Sequence, residues 1–291
     1  MPELPEVETI VRDLNLTVIG RKILDAWTDW PKTIKTHNLK SFIHDIASRE
    51  ILKAHRRAKY IMIDLTGNKT LIIHQKISGH LLYGKWQVKN KKIIPVLNGP
   101  IKSDPFNRHI RFILWLDNGY QLGLSDLRRF GKVFLGDTDK IEQINEIGRL
   151  GPEPLDPKFT FLKFKELMAK RKGVVKKVLM DPFVIAGIGN IYSDEILWYS
   201  GIHPLHRVEN LEEKELKVIY KNIRFVLKKA IAAKGDSQQD YRTLEGKFGT
   251  YQNMEKAYQK TGQRCQKRDG GIIKRIKVNA RSAHFCEAHQ K

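Results

Sequence analysis

Cysteine is scarce in this chain: there are two in 291 residues, both near the C-terminus. A disulfide framework is therefore not indicated, and a reducing cytoplasm is the expected home. No apolar run approaches the roughly 18 residues that cross a bilayer, and no signal peptide is read at the start. Runs such as Phe112-Ile113-Leu114-Trp115-Leu116 have the length of strands instead. Internal repeats and low-complexity tracts are missing as well. Acidic residues are few beside basic ones, 32 Asp and Glu against 53 Lys and Arg, for a formal net charge of +21. Such an excess suits a phosphate-rich partner, DNA or RNA equally. Hydrophobic residues make up 41%, enough for real cores, and the length fits about two domains.

What is present begins at the second residue. Loss of Met1 would leave Pro2 as a terminal secondary amine, followed by Glu3, Leu4, Pro5 and Glu6. An α-amino group has an ordinary pKa of about 7.7–8.0 against about 10.4 for lysine, so near neutrality far more of it is ready to attack a carbonyl. Glu3 and Glu6 are then candidates for the general acid and base of a Schiff-base reaction on a sugar. The same residues are also an ordinary helix start, with proline in the first turn and carboxylates at the positive end of the dipole.

Val7, Ile10, Val11 and Leu14 share one face and predict a helix over residues 5–16. From 23 to about 135 the texture is strand-rich, with runs at 60–65, 71–74, 111–116, 120–124 and 132–135. Thr66-Gly67-Asn68-Lys69 and Asp117-Asn118-Gly119 supply turns. A Gly/Pro/Asp-rich stretch over 148–157 marks a boundary. Helices are predicted over 159–168, 174–180, 191–199 and 212–233, the third closed by Gly201. Runs at 272–278 and 282–285 flank Asn279-Ala280-Arg281 as a terminal hairpin.

Several separated blocks resemble one family, the formamidopyrimidine-DNA glycosylases, bacterial repair enzymes for oxidised purines such as 8-oxoguanine. They are the opening Met1 to Thr9, Ser125-Asp126-Leu127-Arg128-Arg129-Phe130-Gly131, Leu150-Gly151-Pro152-Glu153-Pro154-Leu155, and Gly187-Ile188-Gly189-Asn190-Ile191-Tyr192 with Asp194-Glu195 and Gly201-Ile202-His203-Pro204. The resemblance implies an α+β fold: a helix plus β-sandwich catalytic domain (1–136), a linker (137–157), a helix-two-turn-helix domain (158–240), a lesion-capping region (241–262) and a zinc-ribbon-like β-hairpin finger (263–291). It also implies a bifunctional glycosylase and AP lyase acting on damaged double-stranded DNA. The enzyme is expected to be a cytoplasmic, nucleoid-associated monomer with no membrane partner and no metal for chemistry.

Carried over residue by residue, Pro2 attacks the sugar, Glu3 and Glu6 assist, and Lys59 and Arg281 hold phosphate beside the reacting nucleotide. Arg128 and Phe130, with Ile77 in the position of the family's methionine, fill the stack vacated by an everted base. Arg129 and Asn190 hold phosphate, and Glu195 is expected to face the active site. Residues 240–242 and 246–252 resemble the loop that closes over 8-oxoguanine. Leu4 and the Arg-Arg-Phe loop favour the purine branch over the endonuclease VIII branch. The finger departs from the family's four cysteines. Cys265, Cys286 and His289 are plausible zinc ligands, but Arg268 stands at the second position and cannot serve. Either Asp269 or His284 completes the set, or the hairpin holds without metal. Two other readings stay open: a lesion-binding protein without catalysis, should Met1 be retained, and a basic RNA-binding protein.

Overall fold

The computed structural model describes residues 1–89 and 92–291. They form two compact units, one of residues 1–148 with 233–252 and the other of residues 149–232 with 253–291. The segment predicted to cap the lesion therefore straddles this division, and its first part packs with the N-terminal half of the chain.

The first unit opens with α1 (Leu4–Thr17), whose apolar face of Val7, Ile10, Val11 and Leu14 is buried as the periodicity predicts. Each such side chain contributes about 1.5–3 kcal/mol of transfer free energy. The face packs into a core shared by two antiparallel four-stranded sheets. Their strands are β1 (Ile23–Thr28), β2 (Ile51–Arg57), β3 (Tyr60–Leu65), β4 (Lys69–His74), β5 (His80–Gly84), β8 (Ile110–Leu116), β9 (Gln121–Ser125) and β10 (Lys132–Asp137), in the orders β1-β8-β9-β5 and β10-β4-β3-β2. Between β5 and β8 stand a hairpin, β6 (Trp86–Lys89) and β7 (Lys92–Pro95), and the short α3 (Pro100–Ser103). The turn at Gly67-Asn68 joins β3 to β4 with both residues at positive φ, as a tight hairpin requires. One expectation fails locally. Residues 39–46, inside the strand-rich stretch, form α2 (Leu39–Ile46), started by Asn38 accepting the Ser41 N–H at 2.9 Å. The short α4 (Asn145–Gly148) ends the unit's first segment.

The second unit holds α5 (Phe161–Ala169), α6 (Val175–Met180), α7 (Asn190–Ser200), α8 (Glu213–Ala232) and a hairpin of β11 (Ile273–Val278) and β12 (Arg281–Cys286). Each helix lies within a few residues of its predicted span. Gly201 ends α7 in the left-handed region at φ 70°, its N–H bonded to the Leu197 and Trp198 carbonyls. Residues 191–198 of α7 are all buried, so this helix is the unit's axis. Among the described residues no helix is long and apolar enough to cross a membrane.

Candidate active site and nucleic-acid interface

Pro2 is buried immediately before α1, and the preceding Met1 is exposed as a residue although its amine is enclosed. Glu3 and Glu6 form a reciprocal capping box: the Glu3 carboxylate accepts the Glu6 N–H, and Glu6 Oε2 accepts the Glu3 N–H at 2.7 Å. The other Glu6 oxygen accepts the Asp236 N–H at 2.8 Å. Gly235 makes that approach possible, since a Cβ there would stand 2.7 Å from Glu6 Oε1 and its φ is +81°. Glu6 thus braces the helix start against the segment that follows α8, both of its oxygens taken by backbone N–H groups. The Met1 amine is held below its ordinary value chiefly by burial, with Glu3, Glu6 and Asp240 pulling it up and Lys59 pushing it down. Three carboxylates and one lysine therefore surround the chain start.

Lys59 sits in the two-residue turn between β2 and β3, where Ala58 has φ +52°. Nearby His74 is kept neutral by burial, with Lys76 and Lys59 adding to the effect. Its Nδ1 accepts the Lys76 N–H at 2.9 Å, which shapes the turn that carries half-buried Ile77.

The second loop of this unit is organised by a residue to which the sequence reading gave no role. Buried Asp126 accepts the Ser78 hydroxyl at 2.5 Å, the Gly131 N–H at 2.7 Å and the Arg128 N–H at 3.2 Å. One carboxylate thereby locks the Ile77–Ser78 turn to the 127–131 loop. Leu127 and Phe130 are left 49% and 52% exposed, an arrangement suited to a wedge and costly without a partner. Arg128 is exposed as well. Arg129, at φ +57°, lies over the Trp30 ring at 5.1 Å and reaches Asp29 at 3.5 Å. A carboxylate opening a loop of basic residues was the available signal for Asp126.

In the second unit Asn190 opens α7 after the Gly187-Ile188-Gly189 turn, and its buried side-chain oxygen has no hydrogen-bond partner among the described residues. Glu195 is not placed as expected. It is fully buried, and its carboxylate accepts the N–H groups of Lys256, Ala257 and Tyr258 at 2.8–3.1 Å, so it orders a loop and offers no surface to DNA. Burial pushes its carboxyl up, with the three N–H groups opposing. The neighbouring Asp194 ties the hairpin down: it pairs with buried Lys176 and accepts the His284 N–H at 3.0 Å and Nδ1–H at 2.9 Å. Lys176 also donates to the Ser282 carbonyl at 2.9 Å, one residue from exposed Arg281 at the hairpin tip.

His284 is therefore committed to Asp194, and the fourth side chain of the ligand cluster is Asp269. Donor atoms of Cys265, Asp269, Cys286 and His289 lie within 4.8 Å of one another. Arg268, at φ +56°, turns the chain immediately before Asp269. His289 Nε2–H donates to the Trp198 carbonyl at 3.1 Å, which leaves the Nδ1 lone pair 2.7 Å from Asp269 Oδ2. Two acceptors that close need a proton or a metal ion between them. The Cys265 Sγ to His289 Nδ1 and Cys286 Sγ to Asp269 Oδ2 separations, both 3.6 Å, match the edges of about 3.3–3.8 Å that tetrahedral zinc bonds imply. Burial pushes the Cys265 thiol up to about 11. The donor set fits a divalent metal.

The family model for the formamidopyrimidine-DNA glycosylase N-terminal domain matches residues 1–133, and that for the family's H2TH domain matches residues 150–242. The chain belongs to the formamidopyrimidine-DNA glycosylase family. A formamidopyrimidine-DNA glycosylase of Herpetosiphon aurantiacus is 37% identical over 100% of both chains. One of Chloroflexus aurantiacus is 38% identical over 100% of this chain and 98% of the relative. Among solved structures, the complex of the Lactococcus lactis Fpg with an abasic-site-containing DNA is 30% identical, covers 99% of each chain and superposes with a TM-score of 0.87. Family membership sets aside the reading of a generic RNA-binding protein. It also gives the cluster at Pro2, the wedge loops and the α7 turn a common context.

Proposed function

We infer that the chain is a bifunctional DNA glycosylase and AP lyase that excises oxidised purines from duplex DNA and cuts the strand by β,δ-elimination. The observation that carries this is the gathering of Glu3, Glu6, Asp240 and Lys59 around the start of a capped helix whose second residue is proline. With Met1 removed, the Pro2 nitrogen attacks C1′ of the damaged nucleoside while Glu3 supplies a proton for ring opening and base departure. The iminium that results draws electrons from C2′, and elimination expels the phosphates on either side of the sugar. Glu6 acts through the helix start that it braces. Ile77, Arg128 and Phe130 fill the emptied stack, with Arg128 able to satisfy the orphaned base. Lys59, Arg129, Asn190 and Arg281 hold phosphates, fixing the sugar within the small tolerance that attack allows. Residues 240–242 and 246–252 cover the everted base.

Cys265, Asp269, Cys286 and His289 would hold a structural zinc ion that stiffens the hairpin behind Arg281 and takes no part in the chemistry. Its support is the facing Nδ1 lone pair and carboxylate, together with two sulfur-to-donor separations of tetrahedral length.

Borohydride trapping on an 8-oxoguanine duplex tests the catalytic reading. The natural chain should trap, Pro2→Gly should lose trapping, and Glu3→Gln should trap at a preformed abasic site better than at the intact lesion. Equal trapping by all three on the lesion would remove the assigned roles.

A further inference from the structure

The segment that is read as covering the base is held by a clamp whose anchoring half, Asp104 and Phe106, lies outside every motif considered so far. Arg242, 2% exposed, donates Nε–H to Asp104 Oδ2 at 2.5 Å, and both side chains of the pair are under 10% exposed. Its guanidinium lies between two rings, 4.9 Å from the Phe106 centroid and 3.9 Å from that of Phe248. The Nη1 group donates to the Gln239 and Tyr241 carbonyls at 2.8 and 2.7 Å, so the same side chain shapes its own loop. Asp104 Oδ1 meanwhile accepts the Phe106 N–H at 2.9 Å, fixing the ring on which the guanidinium rests.

A second tie lies three residues on. Asn107 donates to the Gly246 carbonyl at 3.2 Å and to the Pro100 carbonyl at 2.9 Å, and its oxygen meets His80 Nε2 at 2.9 Å. The Tyr83 N–H, at the β5 strand, donates to the Leu244 carbonyl at 2.8 Å, and Leu244 is buried in the main core. With all this anchoring beneath it, Phe248 remains 58% exposed. A buried charged pair is an expensive way to secure a surface loop, since each charge must be desolvated, and it gives orientation more readily than stability. An exposed aromatic ring stacked on a fixed guanidinium is a surface built to meet something flat.

We propose that Asp104 is a positioning residue for recognition of the everted base. Through Arg242 it fixes residues 240–242 and the Phe248 ring in the conformation that receives an oxidised purine, so the loop closes without first having to order itself. The saving is specific to substrates that carry a base. A preformed abasic site offers nothing to cover and gains nothing from the clamp. This inference rests on the reading of residues 240–242 and 246–252 as the covering segment.

The test compares single-turnover excision of 8-oxoguanine with strand cleavage at a preformed abasic site. Asp104→Ala should slow excision by about tenfold or more, the order expected when a buried pair is broken and the competent population falls. Cleavage at the abasic site should stay within about twofold. Asp104→Asn keeps the bond to the Phe106 N–H and should fall between the two. Amide exchange over 243–248 should quicken in Asp104→Ala while the β-sandwich is unchanged. Equal loss on both substrates, or no loss on either, overturns the proposal. A third variant, with residues 243–248 replaced by a Gly/Ser linker, separates the two levels. If it excises 8-oxoguanine normally, the covering role itself is wrong. If it fails while Asp104→Ala behaves as the natural chain, only the clamp is wrong.

Discussion

In the proposed reaction the start of α1 must supply particular atoms, whereas the C-terminal hairpin must supply a shape. A secondary amine at the chain terminus has no substitute among side chains, and residues 1–9 resemble their family at each position used. In that reading the hairpin must only hold Arg281 steady, and where the resemblance implies four cysteines there stand two cysteines, an aspartate and a histidine whose donor atoms lie within 4.8 Å of one another. Geometry can be rebuilt from different ligands. A reacting nitrogen cannot.

The largest test of this contrast falls on the metal cluster. If shape is what matters, Asp269→Cys should keep or tighten zinc binding, while Asp269→Ala should weaken it by at least the roughly 10–100-fold that even outer-shell changes cost. Metal content and the unfolding temperature of the zinc-loaded protein report this. Unchanged affinity in Asp269→Ala would mean that the carboxylate is no ligand.

A second test uses pH, because each unit buries a titratable group of opposite sign. His80 ordinarily titrates at 6.5 and is held at about 4, mainly by burial. The unfolded chain then binds a proton that the folded unit refuses, so this stability is fully present above about 6.5 and is lost as pH falls toward 4. The difference, 6.5 − 4 = 2.5 units, is on the order of 3 kcal/mol. Glu195 is raised above 4.5, so its folded form holds a proton longer than the unfolded chain does, and stability declines as pH rises from 4.5 through the folded value. Amide exchange should show acid loosening the first unit's His80 region and tightening the loop bound by Glu195. His80→Gln and Glu195→Gln should each flatten their own profile, and parallel profiles in both units would refute the assignment.

Much of the fold was legible because its signals are local. The α1 face, the Gly67-Asn68 turn and the Gly201 cap each express a rule that acts within a few residues. The helix at 39–46 was missed although Leu39, Phe42, Ile43 and Ile46 stand at helical spacing and Asn38 was a usable cap signal, because it is only eight residues long and lies among strand-like runs. The site divides along the same line. Pro2, Arg128 and Asn190 lie in contiguous motifs, but the fates of Glu195 and His284 depend on partners 61 and 90 residues away. The choice of Asp269 over His284 required knowing that Arg268 adopts a left-handed turn and that Asp194 claims the histidine.

The smallest expected effect belongs to the hairpin tip. Arg281→Ala should weaken DNA binding about uniformly across sequences and lower the slope of log affinity against log salt by about 1. An unchanged slope would remove its phosphate contact.

The sharpest single measurement is the mass of the borohydride-trapped adduct after proteolysis. If Pro2 is the nucleophile, the sugar remnant lies on an N-terminal peptide beginning at Pro2, with Met1 absent. A remnant on Lys59 or any other internal lysine, or on a peptide still carrying Met1, would contradict that role.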